Sequence, residues 1–311
     1  MKDSDPAAAV DQWLRIAQVV PESDLRESAE YDAATLLMQT GDFDRAEEGL
    51  VTFRDTHPRS KFIADIPSKL IVVYEEQGEW RKAAFELQRI SDAGSNDEEK
   101  RIACFQSAEY FEKAEDFDNA IVMYKRYAHT FKRPFDPAIE AHFKLDQIYA
   151  TVGEEEKRRF WLDRIIRLHK GAGDDKTERS RYLASKAAFE LGEFDRRQFD
   201  NVAIKLPLAK SIVRKNNAMK EALRRYTQAV EMEVLEFTTP ATFHIGNMYA
   251  GFSKGLMDSE RPAGMDELEA EEYQFLLEDQ AFPLEEAAIG VHQTNISRTY
   301  DGIYDEWVKK S

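Results

Sequence analysis

Six histidines (His57, His129, His142, His169, His244 and His292) and one cysteine, Cys104, are the residues best suited to metal, acid–base or nucleophilic chemistry. A zinc site needs several such ligands to converge, and these histidines are scattered with no pair at ligand spacing. His57 and His129 fall at the ends of amphipathic segments, where a cation suits a helix C-terminus. Cys104 lies on an apolar stripe with Phe105 and Ala108 and reads as a buried, inert thiol. No HExxH, GxSxG, P-loop or calcium-loop pattern is present. The pair Gly171 and Gly173 in GAGDDK follows no strand and reads as a loop. Asn295-Ile296-Ser297 matches a glycosylation sequon, which carries meaning only in a secreted eukaryotic chain. The sequence therefore predicts no catalytic residue, no cofactor and no metal site, and the chain reads as a non-enzyme.

What remains is surface chemistry. The 311 residues carry 43 Lys and Arg against 59 Asp and Glu, a net charge of −16. Such a surface is a poor match for nucleic acid or anionic lipid. The charge is segregated. Residues 205–225 hold Lys205, Lys210, Arg214, Lys215, Lys220, Arg224 and Arg225 against Glu221 alone. Residues 258–286 hold eleven acids, Glu267, Glu269, Glu271 and Glu272 among them, against Arg261 alone. This segment is either an acidic patch for a basic partner or a solvated face opposed to the basic segment, and the second is the expectation. The 42% apolar content excludes global disorder. No segment approaches the ~20 apolar residues of a membrane span, and no signal-peptide hydrophobic region opens the chain.

The elements that hold these residues repeat. GDFDRA starts at Gly41, GEWRKA at Gly78, EDFDNA at Glu115, GEEEKR at Gly153 and GEFDRR at Gly192, a period of 37–39. Before and after each of these predicted turns runs an apolar stripe at helical spacing, such as Ala46, Leu50, Phe53 or Ala83, Leu87, Ile90. Gly suits the end of one helix and Asp42, Asp116 and Asp118 the start of the next.

This helix–turn–helix unit resembles the tetratricopeptide repeat. Ala34 and Ala108 occupy its crossing position, Leu37, Tyr74, Phe111 and Tyr149 its large residue, and Phe43, Trp80, Phe117 and Phe194 its turn aromatic. Ala46, Ala83 and Ala120 are its second-helix small residue, and Pro58 its closing proline. The chain departs from the pattern at Ile71 and Asp146 (crossing) and at Arg158 and Arg197 (second-helix small residue), so repeats four and five are degenerate. Long links with an aromatic and then proline, Phe53…Pro58 and Phe131…Pro134, are similar to repeats of Gram-negative envelope proteins. Those include outer-membrane assembly lipoproteins and Tol-associated periplasmic proteins. Residues 120–311, through MDSERPAG, LEAEEYQFLLEDQAFPLEEAAIGVHQTN and YDGIYDEWVKKS, resemble the C-terminal part of large proteobacterial and myxobacterial repeat proteins linked to TonB-type systems or gliding motility.

The resemblance implies an all-α, right-handed superhelical solenoid of about 15 helices. Residues 1–200 form the array of five turns, and 201–311 continue it in degenerate form as one solenoid. Predicted helices there span 207–235, opened by Pro207, and 240–257, bounded by Thr238-Thr239-Pro240. Others start at Asp266, at Pro283 and near Asp301. Both ends read as cut, as in an excised segment of a longer protein. First helices line the concave groove of such a fold. Tyr31, Phe105, Phe143 and Tyr182 recur at one first-helix position and Phe189 at another, a ladder that could hold a peptide or helix or pack between neighbours. Thr35, Val72, Glu109, Gln147 and Lys186 lack the combination used elsewhere to clamp a C-terminal carboxylate. The function read from this is a protein–protein interaction scaffold in a bacterial cell-envelope assembly, periplasmic in the full-length protein. The alternative is a regulatory or sensor module of a larger cytoplasmic protein.

Overall fold

The computed structural model describes residues 6–19 and 25–311. Among them the chain is all-α, with fourteen α-helices and no strand. Successive helices pack on one another within each of two compact units, Met1–Lys132 and Arg133–Ser311. The fourth sequence repeat belongs to the second unit.

The first unit contains α1 (Pro6–Val19), α2 (Leu25–Thr40), α3 (Phe43–Thr56), α4 (Ile66–Gln77), α5 (Trp80–Ala93), α6 (Asp97–Lys113) and α7 (Phe117–Thr130). Its hairpins α2–α3, α4–α5 and α6–α7 turn at the predicted places and by one device. At the first turn the Gly41 amide donates to the Met38 carbonyl and the Asp42 amide to the Leu37 carbonyl. This paired arrangement closes a helix through one left-handed residue. The same pair recurs at Gly78 and Glu79, at Glu115 and Asp116, and at Gly153 and Glu154 of the second unit. The left-handed residue is glycine three times, and Glu115 (φ 55°) takes the position in the third turn. The residue after it closes one helix and caps the next: the Asp42 and Asp116 carboxylates accept from the amides of Arg45 and Asn119. Ala34, Ala46, Ala83, Ala108 and Ala120 are buried at the crossings, where small side chains let helix backbones approach.

The second unit contains α8 (Phe135–Thr151), α9 (Glu155–Gly171), α10 (Glu178–Asn201), α11 (Leu208–Glu231), α12 (Leu235–Met257), α13 (Glu267–Ser297) and α14 (Glu306–Lys310). In α8–α9 the two departures from the repeat pattern are partners. Arg158 Nε lies 2.9 Å from Asp146 Oδ1, so an ion pair between a half-buried guanidinium and a buried carboxylate replaces the small–small contact.

Four sequence expectations are corrected here. The fifth turn does not form, because α10 runs through Gly192 without a break. There the Tyr226 ring of α11 lies where a Gly192 Cβ would stand, 2.7 Å from two ring carbons. The neighbouring charges that a turn would expose are used inside instead. Asp195 pairs with Arg159 at 2.9 Å, and Glu193 with Arg196 at 2.7 Å and with the Tyr226 hydroxyl. Helix α12 starts at Leu235, before Pro240. Pro283 lies inside α13 and starts no helix of its own. Its missing N–H leaves a carbonyl free one turn back, and Pro283 is itself exposed to solvent. Finally, a short 3-10 turn, Arg298–Asp301, occupies the start predicted for the last helix, which begins at Glu306.

Candidate interaction surface

Each aromatic residue picked from the repeat pattern touches rings or cations of its own unit. In the first unit Tyr31 stacks on Phe62 at 4.2 Å between ring centroids, and its hydroxyl donates to Asp65 at 3.2 Å. Phe105 meets Tyr124 and Tyr127 of its partner helix edge-on, at 5.5 and 5.1 Å. In the second unit Phe143 is buried, 9% exposed, below Arg179 and Lys186. Tyr182 packs on Phe237 at 5.3 Å and donates to Glu236 at 3.2 Å. Phe189 joins Tyr226, Phe237 and His244. Tyr31, Phe105, Tyr182 and Phe189 are half-buried, so part of each ring meets solvent while the rest is covered by neighbouring side chains.

The histidines are spread through this packing. His57 closes α3 with Nε2 2.6 Å from a Glu30 carboxylate oxygen. His142 bonds the Ala138 carbonyl and lies edge-on to Trp161. His169 bonds Ser180 at 2.9 Å. His244 stacks on Tyr226 and lies 3.5 Å from Glu193. Burial lowers the pKa of His169, His244 and His292 below the ordinary 6.5. Burial works to raise the Glu193 carboxyl, but hydrogen bonds from Arg196 and Tyr226 outweigh it and hold it below its ordinary value. Cys104 is buried, donates weakly to the Met123 carbonyl, and burial pushes its thiol pKa up. Among the described residues no three His, Cys, Asp or Glu side chains gather as metal ligands. No described helix is long and apolar enough to cross a membrane.

The charged segments do not meet in the way expected. The acidic helix α13 packs on α12. The cations of α11 are used elsewhere: Arg225 pairs with Asp163 at 3.0 Å, Arg224 with Glu221, and Lys215 donates to the Phe199 carbonyl at 2.6 Å. Among the described residues no ion pair joins residues 205–225 to α13, so the charge pairing expected between them does not form. Glu267, Glu269, Glu271 and Glu272 are all exposed. Glu269 closes the helix start by a reciprocal bond with Asp266, and Arg261 anchors this end through Gln274 at 2.8 Å.

Sequence reasoning missed the far side of α13. Leu277, Ala281, Ala288 and Asn295 are its buried residues. On the opposite side Leu268 (66% exposed), Phe275 (61%), Phe282 (59%), Ile289 (57%) and Ile296 (44%) face solvent, with Leu276 (65%) beside them. The first five are seven residues apart throughout. Leu277 follows Leu268 by nine residues, two and a half turns, which puts it on the other side. The exposed side chains thus form one ridge, and an open cleft of about 540 Å³ runs along it between Met257, Phe275, Glu278, Asp279, Phe282 and Glu285.

No protein-family model matches the chain, and no curated protein does. Solved structures do. One is BtubC (BKLC) from P. vanneervenii, with 17% identity and a TM-score of 0.33 over 71% of this chain and 88% of that one. Another is a tetratricopeptide repeat protein. It comes from Parabacteroides merdae ATCC 43184, with 14% identity and a TM-score of 0.35 over 91% of this chain and 96% of that one. The helical repeats of this chain stand on its own helices and recurring turns.

Proposed function

We propose that this chain is a non-catalytic scaffold that binds other proteins, working in a bacterial cell-envelope assembly on the periplasmic side. The observation that carries the binding reading is the outer side of α13. Large apolar side chains in a continuous exposed row are unfavourable in water, and such patches mark interaction sites. The half-buried Tyr31, Tyr182 and Phe189 supply secondary contacts for a peptide or helix within their own units, while Phe105, closed on by the rings of Tyr124 and Tyr127, serves packing. Phe143, covered by its neighbours, serves packing. The envelope reading, with its link to TonB-type systems or gliding motility, is supported by the long aromatic–proline links between repeats and by the resemblance over residues 120–311.

Two measurements test this. A photo-crosslinking residue placed at Phe282 or Ile289, in the full-length protein in its own cells, is expected to yield discrete protein adducts. The same residue at Gln198, exposed on α10, is expected to yield none. Absence of adducts at all three positions contradicts the scaffold reading. Fractionation of the same cells is expected to place the protein with the envelope, and recovery in the cytosol contradicts that part.

A further inference from the structure

We infer that the outer side of α13 receives a basic amphipathic helix from a partner protein. The inference rests on the scaffold reading and names the chemistry of what is bound. From Leu268 to Ile296 the ridge covers 29 residues of α13, and the two ends lie about 42 Å apart at 1.5 Å per residue. A seven-residue apolar repeat drifts by about 20° per heptad on a straight helix, and a second helix follows that drift by winding around the first with a left-handed twist. A long row of this period therefore suits a helix lying nearly parallel to it.

Charge selects the kind of helix. Eight carboxylates line α13 (Glu267, Glu269, Glu271, Glu272, Glu278, Asp279, Glu285 and Glu286), with no lysine or arginine. Among the described residues none of them forms an ion pair. Of the α11 cations, Arg225 pairs on α9, Lys215 bonds α10 and Arg224 pairs with Glu221 of α11 itself. Glu272, Asp279 and Glu286 follow Leu268, Phe275 and Phe282 by four residues, and so share their side of the helix. Glu271, Glu278 and Glu285 follow by three and form the opposite border. An apolar row bordered by acids on both sides complements a partner with an apolar row bordered by Lys and Arg.

The cleft adds a local feature. Phe275, Phe282, Ala281 and Met257 provide apolar walls, and Glu278, Asp279 and Glu285 carry the charge at its edge. Glu285 is held by the Ser253 hydroxyl at 2.9 Å. A Lys or Arg stem fits along the rings with its head at the carboxylates. A second copy of this chain fits less well, because it brings the same eight acids to the same row.

The test uses the full chain and a fluorescent synthetic helix of about 29 residues, the span of the ridge, with leucines at heptad spacing and lysines on both borders. A control peptide carries glutamates in place of the lysines. Fluorescence anisotropy is expected to show binding of the lysine peptide only, weakening about tenfold or more between roughly 50 and 300 mM salt as charge attraction is screened. The double variant Phe275→Ser/Phe282→Ser keeps every acid and is expected to lose at least about tenfold in affinity, as apolar anchors do. Circular dichroism and the denaturation midpoint verify that the variant is folded. No binding of the lysine peptide, equal binding of both peptides, or unchanged binding by the double variant each overturns the inference. So does sedimentation showing a dimer that the double variant dissolves, which makes the ridge a contact between copies. These outcomes leave the scaffold reading standing. That reading falls only if crosslinking in cells captures nothing.

Discussion

Phe105 and Phe282 are the same side chain placed in two situations. Phe105 stands on a repeat position that suggests a binding groove, and the rings of Tyr124 and Tyr127 close on it from the adjacent helix. Phe282 stands in a segment dominated by acids and points to water. The difference teaches that the type and period of a residue mark a face without deciding what covers it. A stripe at helical spacing is core when a neighbouring helix lies over it, and it is a surface when none does. In this chain the first-helix rings are largely occupied, and the last long helix keeps its row free.

The occupied side of the comparison predicts the largest losses. Tyr226 is fully buried, stacks with His244, packs on Phe189 and donates to Glu193. Tyr226→Ala is expected to cost about 3–5 kcal/mol, as large-to-small core changes do, measured by urea denaturation. Gly192→Ala comes next. Alanine gains about 1 kcal/mol of helix propensity, yet its methyl group would meet the Tyr226 ring at 2.7 Å. A net loss of about 1–3 kcal/mol from overpacking is expected. A net gain in stability would contradict the close approach of α11 to α10.

Acid should also weaken the buried side. Burial lowers the pKa values of His169, His244 and His292 in the folded chain below the ordinary 6.5. The unfolded chain then binds more protons as pH falls through about 6.5, so stability decreases from neutral pH towards acid. His244→Gln is expected to flatten this dependence in denaturation curves taken between about pH 7 and 5, the range where an ordinary histidine titrates. An unchanged slope would contradict a lowered pKa at His244. The smallest effect belongs to the open side. Ile289→Lys is expected to change stability by no more than about 0.5 kcal/mol, as surface substitutions do. A loss of several kcal/mol would mean that the row is packed.

Much of the fold was legible from the repeats. The first four turns could be read because a left-handed residue followed by a capping residue is a local device, and local devices survive in sequence. Gly192 carries the same letters but its conformation is decided by Tyr226, 34 residues later, which no local pattern contains. The pairing of Asp146 with Arg158 was visible only as two departures from the repeat. The ridge of α13 had a signal, the seven-residue spacing of Leu268, Phe275, Phe282, Ile289 and Ile296. Pro283 concealed it by suggesting two short helices in place of one long one. The acidic residues were found, but their relation to the apolar row depends on which side of α13 faces α12.

The contrast between covered and open rings is tested most directly by making one deletion in both places. Phe105→Ser/Phe143→Ser and Phe275→Ser/Phe282→Ser remove the same pair of phenyl groups, one pair from first helices and one from the ridge. Urea denaturation of the two double variants beside the parent chain should show the first losing several kcal/mol, on the scale of ~3–5 kcal/mol for a core phenylalanine. The second should stay within about 1 kcal/mol of the parent, twice the usual surface limit. A first-helix variant as stable as the parent, or a ridge variant that unfolds, would contradict the account.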